Sequence, residues 1–433
     1  MGYRIRVTLA FFGHLLRDIL GTFAARVRRR YRLVVLGEET LAVGVDIFPF
    51  FERMTGVGWY EWNLLARLPD ADPAVELRFY AHTFAAPDEP APPAMPTSVR
   101  ARLRLHHLPQ GFMLPVRPTL AVLRGLIEPM MLFLDGNDVF LAPNFFVPRR
   151  HLTAATVVVA TVHDLAFLRL PHTVQEETAD NLRRHLPRAL FAAHALVAVS
   201  AATAADLESL CGIQARRIHV IHEGVDQSFA EPPPAGTALP REIPARYLLF
   251  VSTLEPRKNV IGLLDAFARA TRRGYPGDLV LVGRWGWRTE AAQRALADSP
   301  VCSRIHHLDY LERDVLKAVL GGAEALVFPS WLEGFGLPVV EAMAAGTPVI
   351  TSRISSLPEV GGDAVLYCDP ADPETLADAV LRLAGEPGLR ERLVAAGRAR
   401  AMAFRWEDAA QATATVLRRV SGLPQRGPDA YRV

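Results

Sequence analysis

The stretch Glu333-Gly-Phe-Gly-Leu-Pro-Val-Val-Glu341 decides the fold and the kind of site that the sequence predicts. It follows an apolar run at residues 325–330, which is typical of a buried strand ending in a turn. From Leu337 the pattern is helical. Glycine lets backbone N–H groups approach a ligand, and a helix N-terminus attracts negative charge. We therefore expect a phosphate ester to bind to the backbone N–H groups of Gly334, Phe335, Gly336 and Leu337.

Two carboxylates flank this predicted phosphate site. Glu341 lies one to two turns into the helix, where it can accept hydrogen bonds from paired sugar hydroxyls. Glu333 is expected at the mouth of the site, near whatever extends beyond the phosphate. The spacing alone fits a capped surface helix equally well, because two glutamates with glycine between them also occur by chance.

The stretch resembles the E-x7-E motif of retaining GT-B glycosyltransferases, in glycosyltransferase family 4 (group 1), and it is mannosyltransferase-like. In that family the second glutamate holds the nucleotide ribose, while the first glutamate and the following amides face the sugar and the diphosphate. The resemblance implies these roles for Glu341 and Glu333, with Glu333 among the catalytic residues. It also implies an α/β fold of two doubly wound Rossmann-like domains that face a cleft.

A second motif, Glu255-Pro-Arg257-Lys258-Asn259, follows the apolar strand predicted at residues 247–251. Two adjacent cations at a strand-to-helix turn suit a diphosphate, although a solvated charge cluster would look the same. The motif resembles the phosphate motif of the family, which implies donor binding by Arg257 and Lys258 and a catalytic role for Lys258. Many members carry an arginine a few residues earlier. Ser252 and Thr253 stand there instead, so Arg257 or an arginine of the first domain is the candidate replacement.

A third motif, His163-Asp164, ends the β-branched run at residues 156–162. Such a run is typical of a central parallel strand, and ligands of open α/β sheets gather at the carboxyl ends of strands. The family carries a similar His-Asp pair whose histidine contacts the donor sugar, and the resemblance implies that catalytic role for His163. Asp164 is expected to orient the histidine or the loop. A purely structural histidine is the alternative.

Further donor-binding residues are implied at three other strand ends. Gly58 lies in the glycine loop predicted to open a helix at residues 61–68, where a tight turn is an equal interpretation. Gly283 ends a predicted strand, and in the family the nucleobase lies along the strand end that carries Tyr310 and Leu311 here.

The length of 433 residues and a proline-rich break at residues 232–240 predict two main domains. The expected boundaries are an N-terminal segment at 1–34, an acceptor-side domain at 35–231 and a linker at 232–245. A nucleotide-sugar-binding domain at 246–403 and a final helix at 404–433, crossing back to the first domain, complete the prediction.

The segment 1–34 is basic and has apolar residues at helical spacing. His14, Arg17 and Asp18 interrupt the apolar run, which argues against a transmembrane span. The segment is expected either to lie on an anionic membrane surface or to pack on the domain. The expected location is cytoplasmic, peripheral on the inner face of the plasma membrane in the first case.

Composition excludes other classes of function. The net charge of +2 gives no field that would favour nucleic acid. The three cysteines are too widely spaced for a disulfide framework or a metal site. Asp70-Ala-Asp72 lies in a predicted loop rather than at a buried strand end. We therefore expect no metal and no cofactor.

Together with these features, the resemblance implies a retaining, metal-independent hexosyltransferase. It would move a mannose or glucose-like sugar from a nucleotide diphosphate sugar to an acceptor hydroxyl. The acceptor would be a glycan or lipid-linked oligosaccharide in polysaccharide or O-antigen assembly. The alternatives are a GT-B nucleotide-sugar epimerase or hydrolase, a pyridoxal-dependent phosphorylase, and a catalytically silent membrane-associated scaffold.

Overall fold

The computed structural model describes residues 40–46, 56–80, 137–144 and 157–423. Within these residues the chain forms two parallel β-sheets of six strands each. The first sheet is formed by residues 41–220 and the second by residues 247–368. The sequence therefore predicted the architecture of both halves correctly.

The first sheet is built from strands that alternate with helices along the chain. Its strands are β1 Leu41–Asp46, β2 Val75–Tyr80, β3 Val139–Ala142, β4 Val157–Val162, β5 Ala195–Ala198 and β6 Ile218–Val220. The accompanying helices are α1 Gly56–Ala71, α2 Ala166–Arg169, α3 Glu176–Ala192 and α4 Ala201–Cys211. The strand order is β2-β1-β3-β4-β5-β6, with all neighbours parallel.

The second sheet repeats this construction. Its strands are β7 Tyr247–Val251, β8 Asp278–Val282, β9 Ile305–Leu308, β10 Ala325–Phe328, β11 Val349–Ser352 and β12 Leu366–Cys368. Its helices are α5 Val260–Arg272, α6 Glu290–Ala297, α7 Arg313–Gly322, α8 Leu337–Ala345, α9 Leu357–Gly361, α10 Pro373–Gly385 and α11 Leu389–Ala401. The last helix, α12, spans Trp406–Ser421. The strand order is β12-β11-β10-β7-β8-β9.

The centre of the second sheet contains a topological switch point. The chain runs outward from β7 to β9, then returns to β10 beside β7 and runs outward again to β12. A crevice forms outside the carboxyl ends of the strands where the order reverses, and ligands of this fold class bind there. The segments that follow β7 and β10 contain the two motifs of the second half, so the topology brings them together.

Helix α1 begins earlier than predicted. It starts at Gly56, so Gly58 lies in its first turn and not in a loop. Residues of the first turn need no helix-internal partner for their N–H groups, and packing can outweigh the weak helix propensity of glycine. The Tyr60 side chain is fully buried, and it anchors this end of the helix.

Helix α12 lies against α1 and connects the end of the described chain to the first sheet. The Arg418 guanidinium donates two hydrogen bonds to the buried Asp72 carboxylate, one of them at 2.8 Å. At the other end of the contact, Arg67 Nε lies 2.9 Å from Glu407 Oε1. The predicted segment 1–34 and residues 424–433 lie outside the described residues, and the domain boundaries stay predictions. Among the described helices, none has the length and apolarity needed to cross a bilayer.

Candidate active site

An ion pair links the two motifs at the switch point. Lys258 ends a short 3-10 turn, Pro256–Lys258, which follows β7. Its ammonium nitrogen lies 2.6 Å from Glu333 Oε1, and both side chains are buried. The partnership satisfies a buried ammonium, which requires a charged partner. The expected place of Glu333 near the group beyond the phosphate stays a prediction.

Arg257 adds a second cation to this cluster. Its guanidinium lies 2.8 Å from Glu255 Oε1 and 3.3 Å from Glu333 Oε2, and it donates to the Leu332 carbonyl at 2.9 Å. It also lies 3.7 Å from the Asp164 carboxylate of the first half. Burial alone would raise the pKa of Glu333, but the charges of Lys258 and Arg257 outweigh it and hold that pKa below its usual range.

The glycine loop before α8 is fixed by two serines. The Glu333 N–H donates to the Ser355 hydroxyl at 2.9 Å, and the Ser356 hydroxyl lies 2.8 Å from the Phe335 carbonyl. Gly336 precedes the helix with a φ of +109°, which glycine adopts without steric cost. Pro338 has no N–H and the Val339 N–H donates to the Gly336 carbonyl at 2.9 Å, so the Leu337 N–H is the group of the first turn that the helix leaves for the crevice.

The Phe335 side chain turns away from the crevice. It is buried, and its ring packs 5.4 Å from Phe404 and 5.9 Å from His222 between ring centroids. Phe335 can therefore offer only its backbone to a ligand, and its predicted donor binding stays a prediction. Leu337 begins α8 and packs partly against the core.

The two halves meet at Gly334. A Cβ atom there would lie 1.9 Å from the His163 carbonyl oxygen, so only glycine permits this approach. The Thr203 hydroxyl donates to the same carbonyl at 3.1 Å. The predicted sites at the carboxyl end of β4 and at the start of α8 therefore share one cleft.

A second contact crosses the cleft beside Gly334. Glu359 of α9 accepts the backbone N–H of Ala201 at 2.9 Å, at the start of α4. Its carboxylate also lies 2.5 Å from His222 Nε2. The negative charge is stabilised by the positive end of the α4 dipole, and these contacts lower the pKa of Glu359 although burial alone would raise it.

His163 is held by groups that the sequence did not single out. Its Nε2 lies 2.9 Å from the Pro143 carbonyl oxygen, and its Nδ1 lies 3.3 Å from Glu223 Oε1. The Tyr60 ring packs edge-on against the imidazole at 4.7 Å between centroids. Asp164 accepts the Ala166 N–H at 2.9 Å, so it orders the loop rather than the ring. The signal for Glu223 was its place three residues after the end of β6, a strand of the same sheet.

Glu341 lies within α8 and is partly buried. Burial raises its pKa to about 7, while the nearby charge of Arg313 opposes this and that of Asp226 adds to it. Arg313, which the sequence analysis missed, begins α7 and lies 2.5 Å from Asp226 Oδ2. Its guanidinium packs 4.5 Å from the centre of the Trp59 ring of α1. The place of Arg313 two residues after Leu311 was the available signal.

The remaining predicted donor residues lie around this cluster. Gly58 is buried in the first turn of α1, next to Trp59. Gly283 has a φ of +138°, and a Cβ atom there would lie 1.8 Å from the Ser252 carbonyl, so glycine is required after β8. Tyr310 is 42% exposed and Leu311 packs partly against the core. In the described part of the chain, the ion pairs of Glu333 are formed by Lys258 and Arg257 and not by these residues.

The Asp72 carboxylate of the Asp-x-Asp sequence accepts hydrogen bonds from the Arg418 guanidinium and from the Ala74 N–H, which lies 3.1 Å from Asp72 Oδ1. Across the described ranges, no group of three histidine, cysteine or acidic side chains is arranged to hold a metal ion. The second lysine, Lys317, lies 3.1 Å from Asp314 on α7.

Comparisons with known proteins agree with this arrangement. Residues 54–229 match the family model Glycosyltransferase Family 4, and residues 240–400 match Glycosyl transferases group 1. The chain is 30% identical over 372 residues to O-antigen chain mannosyltransferase B of Escherichia coli. The aligned region covers 83% of this chain and 95% of that protein.

Solved structures confirm the fold. Sucrose-phosphate synthase from Thermosynechococcus elongatus superimposes with a TM-score of 0.69 at 20% identity, covering 88% of this chain and 99% of that chain. Anabaena HepE in complex with UDP-glucose gives a TM-score of 0.65 at 17% identity, covering 88% of this chain and all of that chain. The GT-B fold, the two family matches and the full-length relative together establish that the chain is a glycosyltransferase of family 4, group 1.

Proposed function

We propose that this enzyme is a retaining, metal-independent hexosyltransferase. It transfers a mannose or glucose-like sugar from a nucleotide diphosphate sugar to an acceptor hydroxyl. The observation that carries the proposal is the buried Lys258–Glu333 pair at the N-terminus of α8, opposite His163. The name of the Escherichia coli relative supports mannose, and the UDP-glucose complex of the Anabaena protein supports a nucleotide-sugar donor.

The proposed diphosphate site is the start of α8. The ammonium of Lys258, the Arg257 guanidinium and the backbone N–H groups of residues 334–337 would meet the phosphate oxygens. Glu341, further along α8, would accept hydrogen bonds from the ribose hydroxyls. Glu333, held between two cations, would face the hydroxyls of the transferred sugar.

The proposed reaction breaks the bond between the anomeric carbon and the phosphate oxygen and forms a bond from that carbon to the acceptor oxygen on the same face. The departing phosphate accepts the acceptor proton, so no enzyme carboxylate is needed as a nucleophile. Negative charge develops on the diphosphate as the bond breaks. Lys258 therefore stabilises the transition state more than the bound donor.

The first test is a thermal-shift screen against UDP, GDP, ADP and dTDP and their common sugars, with and without EDTA. Specific binding stabilises the native state by mass action. The screen is run at pH 8, because burial raises the pKa of Glu341 to about 7 and its carboxylate is mostly ionised above that pH. We expect one nucleotide series to raise the melting temperature to the same extent with EDTA. Glu341→Gln is the matched variant, and it should reduce the shift.

Two results would contradict the proposal, one from that screen and one from a hydrolysis assay of the nucleotide sugar that it identifies. Loss of the shift in EDTA would refute metal independence. A hit whose sugar is hydrolysed at the same rate with and without every tested glycan acceptor would favour the epimerase or hydrolase alternative.

The proposed acceptor is a glycan or lipid-linked oligosaccharide in O-antigen or polysaccharide assembly, as the name of the Escherichia coli relative suggests. We further propose that residues 1–34 bring the enzyme to the anionic inner face of the plasma membrane. Deletion of these residues is expected to lower co-sedimentation with vesicles that contain an anionic lipid, while binding to neutral vesicles stays low. Equal co-sedimentation of the full chain and the deletion variant would refute this part.

A further inference from the structure

Both ring nitrogens of His163 face oxygen acceptors. The Pro143 carbonyl, 2.9 Å from Nε2, can only accept, so Nε2 must carry a hydrogen. The carboxylate of Glu223 lies 3.3 Å from Nδ1. A neutral imidazole has a single N–H, and would then direct the lone pair of Nδ1 at that carboxylate. The contact becomes attractive only when the pair holds a second proton.

The surroundings of His163 and Glu223 also favour a second proton on the pair. Glu223 is 5% exposed, and a charge so buried is costly unless it has a partner. Burial alone would lower the pKa of His163, but the hydrogen bond and charge of Glu223 outweigh it and raise that pKa. Among the described residues, the other ionisable groups that face the ring are Asp164 and Tyr60, and Glu341 of α8 interacts electrostatically with Glu223.

We infer that Glu223 is a positioning residue that keeps His163 doubly protonated and fixes Nδ1–H, which makes Nε2–H available as a hydrogen-bond donor. With Nδ1–H fixed on Glu223, a neutral ring would present only a lone pair at Nε2. The cation can instead exchange the Pro143 carbonyl for a hydroxyl or phosphate oxygen of the nucleotide sugar. The identity of the ligand as a nucleotide sugar rests on the proposed function, whereas the protonation state of His163 does not.

The protonation state is tested by NMR titration of histidine-labelled protein. The chain has 13 histidines, so the His163 signal is assigned by its loss in His163→Gln. Glu223→Gln keeps the shape of the side chain, and its carboxamide can still donate to Nδ1, so the ring orientation is retained without the charge. The His163 titration midpoint is expected to move to lower pH in Glu223→Gln.

The matched control is Glu359→Gln, which removes a carboxylate from another histidine, His222, 2.5 Å away. It should leave the His163 midpoint in place. Glu223→Asp, which retains the charge, should keep the midpoint above that of Glu223→Gln. An unchanged midpoint in Glu223→Gln would overturn the inference, and so would equal shifts in Glu223→Gln and Glu359→Gln.

The link to catalysis is tested by the pH dependence of kcat/KM. The alkaline limb of the Glu223→Gln profile is expected to move to lower pH, with kcat/KM about tenfold below the wild type on that limb for each pH unit of displacement. A moved NMR midpoint with an unmoved profile would overturn the role in catalysis. Absence of transfer by the wild type would refute the proposed function, while the NMR titration would still decide the protonation state.

Discussion

Lys258→Met is expected to lower kcat by about 10²–10³-fold, because removal of one group that stabilises developing negative charge has a cost of this size. The ammonium of Lys258 lies 2.6 Å from Glu333 at the start of α8, where we propose that the diphosphate leaves. The remaining cation, Arg257, still lies 3.3 Å from Glu333, so the buried carboxylate keeps a partner and the fold should persist. Steady-state transfer kinetics and the melting temperature measure the two effects separately.

The control for this prediction is Lys317→Met. The chain has only these two lysines, and Lys317 lies beside Asp314 on α7. The same chemical change at Lys317 should leave kcat within about twofold of the wild type, because Lys317 pairs with Asp314 and is not part of the ion pairs around Glu333. A higher KM with unchanged kcat in Lys258→Met would show that the lysine binds the donor and the transition state equally. That result would contradict its proposed catalytic role.

Arg418→Met is expected to destabilise the native state by about 3–5 kcal/mol, the usual cost of removing one partner from a buried ion pair. Arg418 is 3% exposed and donates two hydrogen bonds to Asp72, which is itself 5% exposed. Asp72 would remain buried at the end of α1 with no described cation beside it. Urea unfolding followed by circular dichroism should show the loss as a lower midpoint.

The neighbouring Arg419 provides the control, because it is exposed on the same turn of α12. Arg419→Met should change the free energy of unfolding by no more than about 0.5 kcal/mol. Replacing both partners, in Asp72→Leu with Arg418→Leu, should recover part of the loss, because no unpaired charge stays buried. Equal effects of Arg418→Met and Arg419→Met would show that the buried pair does not stabilise the packing of α12 on α1.

The sequence predicted local features of the site well. The apolar run, the glycines and the helical pattern after Leu337 are enough to predict a strand, a turn and a helix N-terminus, because each depends on neighbouring residues. The convergence of two motifs on one crevice was also predictable, since β7 and β10 meet wherever this strand order occurs. Periodicity and turn chemistry therefore account for the fold and for the position of the cleft.

Pairings between distant side chains could not be predicted in the same way. Lys258 and Glu333 are 75 positions apart, and nothing in the residues between them indicates that they form a pair. Glu223 and His163 are 60 positions apart, and the orientation of each side chain depends on backbone geometry at two strand ends. Gly58 was placed in a loop because propensity was weighed without the packing of Tyr60, which tertiary structure supplies.

The packing of α12 on α1 also affects how this protein could be recombined with relatives. Helices α1 and α12 pack together beside the first sheet, although one precedes and the other follows the second sheet in the chain. A single junction between two parent sequences at residues 232–245 would therefore not separate the two halves of the structure. A chimaera cut only there would pair α1 of one parent with α12 of the other, and Asp72 could lose its arginine. Exchange of the half that carries the second sheet therefore needs two junctions, the second of them just before Trp406.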